Sequence, residues 1–367
     1  MLFRSPPQGT PTFRATTRLI VQTVNVKDKD GRPIEGLTAK DFVVTEDGEP
    51  QMVSFVEFQR LPSPRASGSV TVGESTPAPP AAAPPAEARP KAEPTTDVRI
   101  AAGQPGDIKY RNKRLMVLYF DLTAMPPPDL LRAYNAAIKY IKTQMTPADL
   151  VAVMGFQGGA VRVRQDFTDN RAQLEQVVTD LVFPEDKDGD GIPDVVEEGT
   201  AFGQDDAEFS ILNTDRQLSA LQTAVGMLRP LPDQKSLIYF ASFLRLNGVD
   251  NQAQLRATTN AALRANVSIF PVDARGLVAT APLGDATQRS PGGLAMFTGR
   301  AAEQQANAFQ RSQDTLYALG KDTGGKAMFD NNDLSMGIVA AAESVTSYYI
   351  LRSEEHTSEL QSRFGIS

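Results

Sequence analysis

Leu115-Met116-Val117-Leu118-Tyr119-Phe120 is an unbroken apolar run of strand length, and it stops at Asp121-Leu122-Thr123. A strand that is apolar on both faces belongs in the middle of a parallel sheet with helices over each side. The neighbouring sequence supplies such partners. Asp149 to Phe156, Leu237 to Ala241 and Val267 to Val272 read as further buried strands, with a short one at Lys326 to Phe329. Between them lie helical patterns. Residues 128–145 place Leu131, Ile138, Ile141 and Met145 on one side, and residues 170–182 do the same with Leu174, Val177, Val178 and Leu181. Residues 215–229, 252–265, 314–319 and 334–345 read as helices as well. Strands alternating with helices imply right-handed crossovers and an α/β, doubly wound, mostly parallel sheet, Rossmann-like in layout.

Upstream the period changes. Leu19 to Val26 has strand-type alternation and ends at the turn signal Asp28-Lys29-Asp30-Gly31. Asp41 to Glu46 and Met52 to Phe58 read as two more strands, so residues 6–60 form a partial β-sandwich. Residues 61–106, with Pro79-Pro80-Ala81-Ala82-Ala83-Pro84-Pro85, carry too little apolar bulk to offset their ordering entropy and read as a linker. The α/β domain then occupies residues 107–351, and Tyr348-Tyr349-Ile350-Leu351 reads as a fresh strand with which the sandwich resumes. The ends look foreign. Arg352 to Ser362 resembles a sequencing-library adaptor translated in frame, and Leu2-Phe3-Arg4-Ser5 resembles the opposite adaptor, so residues 1–5 and 352–367 are expected to lie outside the natural protein. His356 would go with them, and a signal peptide would have been lost upstream. On this reading, removal of residues 352–367 leaves stability unchanged.

Composition excludes several classes of function. The chain has no Cys, one His and a net charge of −7. Thiol chemistry and disulfides are ruled out, and no basic stripe offers a nucleic acid a counter-charge. No apolar stretch approaches the length of a transmembrane helix. Neither a phosphate-binding Gly-Lys-Ser/Thr loop nor a dinucleotide fingerprint is present; Gly155-Phe156-Gln157-Gly158-Gly159 reads as a loop after a strand, without the lysine that phosphate binding needs.

One motif points to a metal by spacing alone. Asp186-Lys187-Asp188-Gly189-Asp190-Gly191-Ile192-Pro193-Asp194-Val195-Val196-Glu197 fits a twelve-position calcium loop. Asp186, Asp188, Asp190, Asp194 and Glu197 fall at the acidic positions, Gly191 at the sharp turn and the Ile192 carbonyl at position seven. Pro193 departs from the helix–loop–helix form, and the run resembles the calcium loops of thrombospondin type 3 repeats. The competing reading is a solvated acidic loop.

The order of these elements carries a family resemblance. Phe120-Asp121-Leu122-Thr123, the strand at Asp149, Asn213-Thr214-Asp215 before the third helix and Ile269 to Gly276 are similar to von Willebrand factor type A (VWA) domains. With Gly36 to Phe42 and Glu46-Asp47-Gly48 upstream, the layout resembles the VWFA-related bacterial secreted proteins. The resemblance implies a binding module rather than an enzyme. It would act outside the cytoplasm (secreted, periplasmic or on the cell surface) in adhesion or assembly with a protein or polysaccharide partner at the carboxyl end of the sheet. It also implies a metal-ion-dependent adhesion site for Mg²⁺ or Mn²⁺. Asp121 and Thr123 match its first two ligands, Thr214 its later threonine, and Ser242 stands near where the closing aspartate belongs. Met125 occupies the position of the third hydroxyl, so the site is degraded. The alternative for Asp121 and Thr123 is a capped turn. Two other functions remain open: a structural envelope component with no ligand on that face, and a carboxylate-only hydrolase using Asp121 and Asp273.

Overall fold

The computed structural model describes residues 17–62, 98–101, 109–183, 207–277 and 300–356, apart from residues 27, 30–32, 47–48, 111–112, 124, 232–233 and 247. The chain forms two compact units, divided after Arg60 and after Thr346. The first holds β1 (Thr17–Val24), β2 (Val44–Glu46), β3 (Glu49–Gln51) and β4 (Val53–Arg60). The second begins with β5 (Arg114–Asp121), α1 (Pro127–Lys139), β6 (Asp149–Gln157), β7 (Ala160–Thr168) and α2 (Arg171–Val182). It continues with α3 (Ala207–Leu228), β8 (Lys235–Ala241), α4 (Gly248–Arg264), β9 (Val267–Asp273), α5 (Arg300–Asp322) and α6 (Ser335–Ser344). The chain then returns to the first unit as β10 (Ser347–His356). Among the described residues no helix is long and apolar enough to cross a membrane.

In the first unit β10 lies between β1 and β4 and is antiparallel to both, while β2 and β3 form a separate two-stranded sheet. The sandwich reading is thus refined to two small antiparallel sheets. Tyr349 anchors them: its ring lies 5.0 Å from Phe58 and 5.4 Å from Phe42, and its hydroxyl donates to the Ile34 carbonyl while accepting from the Leu37 amide. The boundary drawn at residue 351 is not a structural one. Arg352 and Ser353 pair on both sides, and Glu354 to His356 continue opposite Leu19 to Thr17. Ladder hydrogen bonds come from the backbone, so pairing does not require side chains selected to pack. Deleting residues 352–367 would remove the last five residues of β10, and its effect on stability is the test of the adaptor resemblance.

The second unit is built on one sheet in the order β7-β6-β5-β8-β9. β5 runs parallel to β6 and β8, β8 parallel to β9, and only β7 is antiparallel. Every residue of β5 and β8 is buried, which is why both read as continuous apolar runs. Alternate side chains point to opposite faces. Leu115, Val117 and Tyr119 pack with Leu218, Leu221 and Val225 of α3 and with Leu316 of α5. Met116, Leu118 and Phe120 pack with Ala133 and Ala137 of α1, Leu174 and Val178 of α2 and Ile338 of α6.

Three local readings change. Gly155 to Gln157 belong to β6, and Gly158 and Gly159 form a two-residue hairpin turn with φ of 61° and 70°. Left-handed backbone at both central positions suits glycine and matches the strand twist, so β7 folds straight back. Lys326 to Phe329 make only a bridge, Val272 to Met328, rather than a strand. The helix over 128–145 ends at Lys139 and passes into a π-turn, Tyr140–Gln144. Its buried side uses Ala133, Ala136 and Ala137, and Leu131 is 45% exposed.

The amino-terminal edge of the sheet is locked by charge. Arg114 and Asp149 are register partners on β5 and β6, both fully buried. Arg114 Nε donates to Asp149 Oδ1 at 2.6 Å, and its terminal nitrogens donate to the Ala342 carbonyl at 3.1 Å and to Thr146 Oγ1 at 2.8 Å. Asp149 Oδ2 accepts from the Thr146 amide and hydroxyl and from the Tyr140 hydroxyl. Burial, reinforced by the Asp149 charge, holds the Tyr140 hydroxyl well above its ordinary pKa, so it stays a donor. Removing one member of such a pair strands the other in an apolar interior. Arg114→Met is expected to cost about 3–5 kcal/mol in urea denaturation, and adding Asp149→Leu should recover much of the loss. A cost below about 1 kcal/mol for the single variant would show that the pair does not hold the sheet.

Candidate functional site

Open α/β sheets bind ligands beyond the carboxyl ends of their strands. At that edge β5 ends in Asp121, a carboxylate only 1% exposed. Its Oδ1 accepts from the Thr123 amide at 3.2 Å and the Thr123 hydroxyl at 2.7 Å. Its Oδ2 accepts from Gln217 Nε2 at 2.9 Å and from the Tyr239 hydroxyl at 3.0 Å. All four donors are neutral. Gln217 comes from α3 and Tyr239 from β8, so three elements converge on one side chain. The Gln217 amide also donates to the Phe243 carbonyl at 3.2 Å. Tyr119 and Tyr239 are register partners, with ring centroids 5.6 Å apart, and burial beside Asp121 drives both hydroxyls well above their ordinary pKa.

Two further networks sit on the same edge. Ser242, just past β8, donates through Oγ to Asp129 Oδ2 at 2.6 Å. Asp129 also pairs with Arg132, whose Nε donates to the Ala274 carbonyl at 3.0 Å. Past β9, Arg275 grips Asp273 through Nε at 2.8 Å and Nη2 at 2.6 Å. Its guanidinium lies 4.1 Å from the Phe309 ring centroid and 5.1 Å from that of Phe243. This is a cation between two aromatic faces.

The residues singled out from sequence are therefore distributed as follows. Asp121 and Thr123 meet, in the arrangement of a capped turn. Thr214 does not precede the third helix but lies within α3, and its hydroxyl donates to the Arg245 carbonyl at 2.7 Å. Ser242 is committed to Asp129. Met125, at the position of the third hydroxyl, is 7% exposed and packs in the apolar cluster beneath α1. The calcium-loop residues Asp186, Asp188, Asp190, Ile192, Asp194 and Glu197 lie outside the described residues. Gln217, Tyr239 and Asp129 were not anticipated. The one available signal was that Gln217 lies one helical turn beyond Thr214.

A hard divalent ion takes about six oxygens, including charged ones. The arrangement at Asp121 does not fit that demand. Among the described residues one carboxylate is present there, both its oxygens are occupied by the chain's own donors, and the hydroxyls of Thr214 and Ser242 are turned to other partners. Among the described residues no three His, Cys, Asp or Glu side chains are grouped so as to hold a metal.

No protein-family profile and no curated protein matches this sequence. Solved structures do match. An aerotolerance-related membrane protein from Bacteroides fragilis NCTC 9343 is 13% identical over 63% of this chain and 98% of its own, with a TM-score of 0.38. The VWA domain of SpRpn10 is 12% identical over 44% of this chain and 74% of its own, at 0.28. The N-terminal domain of TFIIH p34 is 10% identical over 64% and 99%, at 0.29. The α/β unit is a mostly parallel five-stranded sheet covered by helices on both faces, the doubly wound fold class expected from the sequence. At this edge Asp121, Asp129 and Asp273 are each held by hydrogen bonds from the chain's own donors.

Burial raises the Asp121 carboxyl above the ordinary carboxylate range, and the hydrogen bonds from Thr123, Tyr239 and Gln217 only partly oppose it. A raised folded-state pKa means that the folded protein keeps its proton to higher pH than the unfolded chain. Asp121 thus contributes most stability below the ordinary range, and that contribution falls as pH rises through the raised value. Asp121→Asn is expected to flatten this slope above the ordinary carboxylate range in urea titrations. An identical slope in the variant would show that Asp121 is not its source.

Proposed function

We propose that this chain is a non-catalytic binding module of VWA type, working outside the cytoplasm, that engages a protein or polysaccharide partner at the carboxyl edge of its sheet. One observation carries the reading. Asp121, Asp129 and Asp273, the buried acids of that edge, are all held by internal donors, whereas two leucines on the elements that carry this edge, in α3 and past β9, stand in solvent. Leu277, four residues past the end of β9, is 64% exposed. Leu212, in α3 upstream of Gln217, is 58% exposed. Carboxylates sealed behind their own partners are poorly placed to act on a substrate, which speaks against the hydrolase alternative. Exposed aliphatic groups beside a rigid polar edge suit an interface.

The paired change Leu212→Asp and Leu277→Asp tests this. Melting temperature should stay unchanged, because both side chains are already in water. Retention on immobilised polysaccharides and on bacterial envelope proteins should fall tenfold or more, about 1.4 kcal/mol. Equal retention by parent and variant would point to the structural-envelope alternative. Turnover of a chromogenic ester or glycoside that Asp273→Asn abolishes would point to the hydrolase.

The spacing of Asp186, Asp188, Asp190, Asp194 and Glu197 further supports a calcium site that orders residues 186–197. Calorimetry should show calcium binding near the weak range of extracellular modules, about 10⁻⁴ to 10⁻³ M. The heat should vanish in Asp188→Ala with Asp190→Ala. Equal heats from both proteins, or none at millimolar calcium, would leave the solvated acidic loop as the better reading.

A further inference from the structure

We propose that the carboxyl end of β5 is a cation-free site, in which the side-chain amide of Gln217 takes the place a divalent ion would fill. Asp121 Oδ2 and the Phe243 carbonyl are both hard oxygen ligands, and one NH₂ group bridges them at 2.9 and 3.2 Å. An ion at that position would sit about 2.1 Å from each oxygen. It could enter only if Gln217 swung away and broke both bonds, and the Tyr239 hydroxyl would have to yield its place on Oδ2. The entering dication would meet a single carboxylate in a fully buried setting, leaving a net positive charge out of water. The amide brings a partial positive charge and no such desolvation cost.

The flanking residues agree. Thr123 spends its hydroxyl on Asp121 Oδ1, Ser242 is turned to Asp129, and Thr214 to the Arg245 carbonyl. Met125 offers only a thioether, packed in the core. Each of these four side chains, the described residues at the positions where coordination was expected, is thus committed within the fold. If the binding reading above holds, the partner is engaged without Mg²⁺ or Mn²⁺, through the rim around this sealed centre. The metal experiment below needs no partner, so its outcome is separate from the fate of that reading.

The test uses the full chain carrying Asp188→Ala and Asp190→Ala, which silence the candidate calcium loop. This background should give no saturable Mn²⁺ heat that depends on Asp121. Gln217→Glu added to it places two carboxylates together and restores the charge a cation needs. That variant should melt lower without metal, and millimolar Mn²⁺ should raise its melting temperature by about 4 °C or more. Asp121→Asn should abolish the rise. Saturable Mn²⁺ binding to the background that Asp121→Asn removes would overturn the proposal. So would a folded Gln217→Glu variant that Mn²⁺ does not stabilise. If Gln217→Glu does not fold, the background titration with and without Asp121→Asn decides alone.

Discussion

The buried pair between Arg114 and Asp149 fixes the register on which the α/β unit depends. The two residues face each other across β5 and β6, and every hydrogen bond they make ends on a nearby element: the turn at Thr146, the π-turn at Tyr140 and the end of α6 at Ala342. A slip of one residue would exchange the two faces of β5 and break this set at once. With Arg114 held, Asp121 emerges at the other end of the strand opposite Phe156, within reach of α3 and β8. The geometry of the carboxyl edge is therefore set from the amino edge, along a strand too rigid and too buried to adjust.

Much of this architecture was legible because it follows from burial. Continuous apolar runs marked β5, β6, β8 and β9, and helical spacing placed α1, α2, α4, α6 and the carboxyl-terminal parts of α3 and α5. What escaped has physical causes. β7 carries Arg162, Arg164 and Gln165 on a partly covered edge strand, so its pattern was weak, and the turn at Gly158 and Gly159 was read as a loop. Apart from Asp129, the buried side of α1 is made of alanines, which give little hydrophobic signal while letting the helix lie close to the sheet. The continuation of β10 past residue 351 rests on backbone pairing, which leaves little trace in composition.

At the candidate site the sequence pointed to the right place and to an incomplete set of partners. Asp121 and Thr123 were identifiable from their position after an apolar strand. Gln217 was not, because a glutamine within an amphipathic helix is ordinarily a solvent-facing residue, and only the tertiary fold turns it inward. Tyr239 was hidden in the same way, since it was read as part of an apolar strand and its hydroxyl finds Asp121 only across the sheet. Met125 was visible beforehand as a residue with no oxygen to offer a hard cation, and its side chain packs in the core beneath α1.

At the carboxyl edge Asp121 is held by Thr123, Gln217 and Tyr239, and the central claim proposed for it is that an amide stands there rather than a metal. Paramagnetic NMR reads this most directly. With substoichiometric Mn²⁺ added to the ¹⁵N-labelled chain, the backbone amides of Asp121 and Thr123 and the side-chain amide of Gln217 should keep their line widths. Selective broadening of those three signals would place the ion beside Asp121 and contradict the account.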